Sequence, residues 1–208
     1  MVDFASKLTM TDISIDCETL GVKYDAPVLS IGAIQFNRTT GRFGKEFYVE
    51  INMRSAVKGA ERGIDPETIY WWINQNRSVA AGLFDDSDVA RARKKVMSQA
   101  LFDLCDFVRA TPGALVWSNG PAQDVTWLEH AYDTQAIGLS PPWTLRNVRD
   151  LRTLRDIAAL RGFDYHTIPF KGTQHNALDD AKHQAHVVID CLAAIVGKTS
   201  TYEDPDEI

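Results

Sequence analysis

Three cysteines in 208 residues are few, and Cys17, Cys105 and Cys191 make no metal-ligand spacing. That argues against a zinc site. An odd number of scattered thiols reads as free side chains in a reducing cytoplasm, each behaving as a small apolar residue. Also missing is any run of about 18 apolar residues, so neither a transmembrane helix nor a membrane partner is expected. The opening MVDFASKLTM has no basic segment leading into an apolar stretch and a small-residue cleavage site, which argues against a signal peptide. Positive charge is in deficit: 22 Lys and Arg stand against 28 Asp and Glu, a formal net charge of −6. A chain that coats duplex nucleic acid by neutralising phosphates is usually basic. The charge balance therefore excludes a nonspecific coat and leaves room for an enzyme that holds a few nucleotides at one site.

What is present is ordinary for a globular domain, 45% apolar and 24% charged, at a length that favours one domain with a real core. Residues 1–11 read as a lead-in, 12–197 as a single domain and 198–208 as an acidic flexible tail. Three strands open the domain, near 12–18, 28–37 and 43–51, joined by turns that form an antiparallel meander. Asp65, Pro66 and Glu67 start a helix. Asp85 or Ser87 starts another that is expected to run to about Arg109. ALVWSN (114–119) reads as a short strand, GPAQDVTWLEHAYDTQAI as a turn followed by a helix, NVRDL as a strand, and LRTLRDIAALRGF as a helix stopping near Gly162. A long helix covers 175–197, with Asn176 as its cap and Gly197 closing it. Strands first paired, then alternating with helices, predict an α/β domain with a mixed sheet.

Within this frame, acids stand where apolar residues are expected. In DISIDCETLG, Asp16 and Glu18 alternate with Ile13, Ile15 and Cys17, so the two carboxylates share one strand face. In the last helix the apolar stripe is Ala177, Ala181, Ala185, Val188, Leu192 and Ile195. At about 100° per residue, Asp180 lies at its edge and Asp179 almost opposite, in solvent. His183 and His186 project away from the stripe and read as solvated. Asp124 falls on the inward face of its helix, just past a strand's carboxyl end, where α/β sheets build sites. Four such acids point to divalent cations, and hard oxygen ligands suit Mg²⁺ or Mn²⁺. Cations between Asp16 and Glu18 would make their proximity tolerable.

DISIDCETLG, NGPAQD and HNALDDA resemble, in order, the three exonuclease motifs of the DEDD superfamily in its histidine-containing (DEDDh) branch. His175, Ala177 and Asp180 match its H-x-A-x-x-D pattern. TIYWWINQN and VRDLRTL further resemble DexA-type phage exonucleases and the RNase AS group of 3′–5′ exoribonucleases. The resemblance spans about residues 12–195. It implies an RNase H-like fold, a mixed sheet with its first three strands antiparallel and the rest parallel, flanked by helices. It implies a 3′–5′ exonuclease that hydrolyses single-stranded nucleic acid from the 3′ end to nucleoside 5′-monophosphates with two divalent cations. Asp16 would bridge the two ions, Glu18 and Asp180 would bind the nucleophile-side ion, Asp124 the other, and His175 would be the general base. Thr19 and Leu20 would line the terminal-nucleotide pocket. One departure stands out: Gln123 occupies the place before Asp124 where the family usually has an aromatic residue.

Further substrate contacts are expected at Asn119, at Trp71 by stacking, at Gln75, and at Arg149 and Arg152 within an arginine series that also includes Arg146 and Arg155. Trp72, Trp117 and Trp127 read as core, and RARKK (91–95) as solvated surface. The phage-type stretches favour DNA slightly over RNA and, for a phage protein, the host cytoplasm. An exoribonuclease of the RNase AS type is the alternative. So is a catalytically silent nucleic-acid-binding or host-regulating protein on the same fold. Many relatives pair as homodimers, and the sequence leaves that arrangement open.

Overall fold

The computed structural model describes residues 9–197 apart from 59, 61, 62, 76 and 137. Most of the expected lead-in and all of the acidic tail lie outside the described residues.

Alternation sets the first strand. In β1 (Asp12–Thr19) the apolar residues point to one face, and Asp12, Ser14, Asp16 and Glu18 to the other. β1 pairs antiparallel with β2 (Val28–Asn37), which pairs antiparallel with β3 (Arg42–Glu50). Two short strands, β4 (Leu115–Ser118) and β5 (Val148–Asp150), continue the sheet in parallel on the other side. The order is β3-β2-β1-β4-β5, which makes the carboxylate strand the central one. This is the mixed sheet expected from the sequence.

Helices cover both faces. Ile13, Ile15 and Val116 share a core with Leu101 and Leu104 of α5 (Met97–Arg109) and Val125 and Leu128 of α6 (Asp124–Gln135). On the opposite face, Ile34, Phe36 and Trp117 meet Leu151 and Leu154 of α7 (Leu151–Ala159) and Ala185 and Val188 of α8 (Ala177–Val196). The polar face of β1 is therefore a buried one. Asp12 is satisfied there by the Trp117 Nε1–H at 2.8 Å and Arg38 at 2.5 Å. α8 comes close because its inner stripe begins with alanines, Ala177 and Ala181, both fully buried. Opposite Asp16 stands Gly32, where a Cβ would sit 2.1 Å from the Ala177 carbonyl carbon. The approach of helix backbone to strand backbone thus requires glycine.

Local signals were mostly decisive. Asp65 caps α2 (Pro66–Ile73), which starts on proline. Asn176 caps α8 through the Leu178 and Asp179 N–H groups, and Gly197 ends it in the left-handed region. Two stretches differ from expectation. A helix, α3 (Arg77–Phe84), fills a stretch for which no element was expected. The helix expected to run on to Arg109 is two, α4 (Asp88–Arg93) capped by Ser87, and α5. Between them, the Lys95 N–H donates to the Glu50 carbonyl and the Lys95 carbonyl accepts from the Asn52 N–H. Hydrogen bonds to the end of β3 and to the residue before α1 (Met53–Ala56) replace helical ones, and propensity does not foresee them. RARKK lies at the surface as expected, with its charges paired there: Arg91 with Asp86, Arg93 with Glu50 and Lys95 with Asp103. Lys94 donates to the Leu83 and Asp85 carbonyls. No helix among the described residues is long and apolar enough to cross a membrane.

Gly32→Ala is expected to lower unfolding free energy by about 1–3 kcal/mol or more, the cost of overpacking against rigid backbone, as read from the urea midpoint. An unchanged midpoint would mean that α8 can shift freely from the sheet.

Candidate active site

The ladder between β1 and β4 ends at Ser14 and Trp117. Beyond it, the Cys17 N–H donates to Asp124 Oδ1 at 3.2 Å. The start of α6 is thereby tied to the carboxylate strand, at the carboxyl ends of β1 and β4. Asp16, Glu18, Asp124, His175 and Asp180 all line one cavity of about 330 Å³. The five residues that the sequence nominated, from three separate segments, are brought together. Ligand atoms of Glu18, His175 and Asp180 lie within 4.8 Å of one another.

Burial raises the proton affinity of every acid in the cluster, and repulsion within the cluster adds to it at Asp16 and Glu18. For Asp16, burial is the largest cause, followed by Asp124, Glu18 and Asp180, and a hydrogen bond from Gln184 opposes them. Glu18 is raised by burial, then by Asp180 and Asp124. Asp124 is raised by burial against the Cys17 N–H, and Asp180 is pushed up to about 6 by burial. Asp180 Oδ2, Asn119 Oδ1 and Gln184 Oε1 are buried without a hydrogen-bond partner. Converging, unpartnered hard oxygens amid repelling carboxylates are the donor set a divalent cation takes.

His175 enters from a turn, with φ at 66°. Its ring packs edge-to-face with Trp71 at 4.7 Å, and burial lowers its proton affinity, so the imidazole is neutral at pH 7. The turn is held from α8 by both tandem aspartates. Asp180 accepts from the His175 N–H. Asp179 accepts from the Thr173 N–H at 2.8 Å, beneath Gly172 at φ +102°, where any Cβ would strike that carboxylate. The solvent placement expected for Asp179 is thus corrected: the chain before α8 folds back over it, which a helical projection does not see.

A family model, the 3′–5′ exoribonuclease Rv2179c-like domain, matches residues 11–192. The chain belongs to this family. No curated protein matches it. Among solved structures, it is similar to the nuclease domain of 3′hExo, a DEDDh family member, bound to rAMP: 14% identity, 94% of this chain and 96% of that one, TM-score 0.58. It is also similar to an Escherichia coli ExoI–ssDNA complex in a zinc-bound form, at 16% identity over 90% of this chain and 40% of that one, TM-score 0.53. The protein is a 3′–5′ exonuclease of the Rv2179c-like family on an RNase H-like fold.

Expected substrate contacts divide. Asn119 and Arg152 line the cavity of this Rv2179c-like domain. Trp71, 40% exposed, stands beside it against His175, whereas Gln75 is not in its wall. Thr19 and Leu20 are buried outside the lining. The Thr19 hydroxyl donates to the Gly21 carbonyl, and its own carbonyl accepts from Trp72 Nε1. Arg149 is also away from the cavity, because its guanidinium donates to the Arg146 and Val148 carbonyls. His183 and His186 are half-buried rather than solvated, on Phe170 and Phe43 respectively, and His183 lines the cavity.

Sequence reasoning missed one contributor, Gln184, and left two that it had named, Gln123 and Arg155, without a role. Gln184 donates to Asp16 Oδ1 at 2.6 Å. Its spacing of four from Asp180 was a usable signal. Gln123, the departure from the family pattern, accepts from Arg152 at 3.2 Å and steadies that arginine near Asp124. Arg155, one turn on, also lines the cavity.

Two outcomes follow from this geometry. A carboxyl with a folded pKa above its unfolded value binds more protons folded than unfolded, so stability falls as pH rises. In chelator, Tm is expected to drop as pH rises from about 4 through 6 and beyond. Mg²⁺ or Mn²⁺ should restore it, and Asp16→Asn should flatten the drop. A level profile in chelator would contradict the clustered charges. Asp179→Ala is expected to release the Thr173–His175 turn, change the NMR shifts of the His175 ring and cost about ten- to a hundred-fold in nuclease activity. Asp179→Asn, which still accepts a hydrogen bond, should keep most of both. Unaltered shifts in Asp179→Ala would remove this clamp.

Proposed function

We propose that this protein is a metal-dependent exonuclease that trims single-stranded RNA from its 3′ end, releasing nucleoside 5′-monophosphates. One observation carries the reading: three separate segments deliver four carboxylates and a neutral histidine to one cavity at the carboxyl ends of β1 and β4. A binding-only module gains nothing from such repulsion.

The oxygen-rich donor set fits Mg²⁺ or Mn²⁺. Asp16 would be shared by two ions, with Glu18 and Asp180 on the side of the attacking water and Asp124 on the side of the leaving oxygen. Cations held there supply the charge that steadies attacking and leaving oxygens in an in-line displacement. The chain's own residues do the rest. The His175 ring nitrogen takes the proton from the water as it attacks phosphorus. The P–O3′ bond breaks, the freed 3′-oxygen of the shortened strand takes a proton from solvent to become its new 3′-hydroxyl, and the terminal nucleotide leaves as its 5′-monophosphate. Trp71 offers a face for the terminal base. Arg152, turned by Gln123, supplies positive charge toward the phosphate.

RNA is preferred over the DNA expected from the phage-type stretches because the family's description is of an exoribonuclease.

Matched 5′-labelled RNA and DNA oligomers should be shortened one nucleotide at a time from the 3′ end, RNA faster, and only with Mg²⁺ or Mn²⁺. His175→Ala should slow hydrolysis by about 10²–10⁴-fold without weakening Mn²⁺ binding by calorimetry. Full cleavage in chelator would overturn the metal-dependent reading. Faster cleavage of DNA would return the substrate to DNA.

A further inference from the structure

A second cavity, of about 290 Å³, opens beside the first and shares Arg155 and Tyr165 with it. Three rings line it, those of Phe163, Tyr165 and His166. The Arg155 guanidinium lies 4.3 Å from the centre of the Tyr165 ring, and the Tyr165 and His166 rings are 4.0 Å apart. Asp164 fixes the turn that carries them, accepting from the His166 N–H at 3.0 Å and contacting its ring nitrogen at 2.8 Å.

Arg152 and Arg155 also stand apart from the ion-paired arginines of this acidic chain. Arg38, Arg54, Arg91 and Arg93 are each paired with a carboxylate. Among the described residues Arg152 and Arg155 have no such partner: one is held by the Gln123 amide and the other lies on Tyr165. Two uncompensated guanidinium groups one helical turn apart on α7 make a short cationic track. It runs from beside Asp124 toward the second cavity.

We propose that this second cavity is a subsite for the nucleotide next to the 3′-terminal one. The inference rests on the proposed function, in which Asp124 faces the leaving oxygen. That oxygen belongs to the strand that remains, so the remaining strand departs on the Asp124 side, along Arg152 and Arg155. The base of its last nucleotide stacks in the ring-lined cavity, and its phosphate meets Arg155. Asp156 and Asp164 in the cavity wall repel a phosphate placed deep inside. The base therefore occupies the interior and the phosphate stays at the arginine-lined mouth. Stacking tolerates any base, so the subsite selects for an aromatic base and not for a sequence.

The test uses the full chain with Mn²⁺ and two single strands, one intact and one with an abasic site second from the 3′ end. Wild type is expected to prefer the intact strand by about five- to a hundred-fold in kcat/KM, the range of one base stack. His166→Ala, at a side chain 72% exposed and so without cost to folding, should bring the ratio near one. Tyr165→Ala should do the same, and Tyr165→Phe should keep it. A wild type that cuts both strands equally, or variants that retain the preference, would overturn the subsite and leave the exonuclease reading standing. A wild type that cuts neither strand would overturn that reading and the subsite with it.

Discussion

Like charges gathered where water is scarce repel strongly, and the architecture around β1 is arranged to hold them together. β1 is central, so its carboxylates cannot swing out to solvent. The N-terminal end of α6 is fastened to it by the Cys17 N–H on Asp124. α8 lies flat on it over Gly32 and the alanine stripe. Gln184 opposes part of the repulsion at Asp16. What remains is relieved by protonation or by cations, and the orphaned oxygens of Asp180, Asn119 and Gln184 mark where cations are favoured.

α8 has a double task. Its small inner residues permit close packing on the sheet, and that packing brings Asp180 and Gln184 down to the cavity. Its first turn also anchors the turn before it, through Asn176, Asp179 and Asp180. His175 then faces Trp71 from a left-handed conformation. Strain of that kind persists only where surroundings over-determine it, and here two aspartates and two tryptophans do so.

The legible part of this protein was the part written in periodicity and caps. The alternation in β1, the stripe of α8 and the cap residues Asp65 and Asn176 are local, and each led to the observed element. The carboxylates and His175 were found because an acid at an apolar position is conspicuous, and because three motifs in order resemble a family. Features made by the chain returning on itself were not legible. Asp179 looked solvated because Gly172 and Thr173 fold over it only in three dimensions. The break at Lys94–Val96 depends on the end of β3. Arg149 and Arg152, three residues apart, have opposite fates because backbone carbonyls catch one and Gln123 turns the other. The phosphate track along α7 was half visible as an arginine series, but which members reach the cavity is set by tertiary contacts.

The most direct measurement is anomalous diffraction from crystals soaked in Mn²⁺. The account predicts peaks within the carboxylate cluster, one touching Glu18 and Asp180, one touching Asp124, and both touching Asp16, with loss of both in Asp16→Asn. Crystals of active protein in which Mn²⁺ leaves no peak among these four residues would contradict the claim that cations hold the site together.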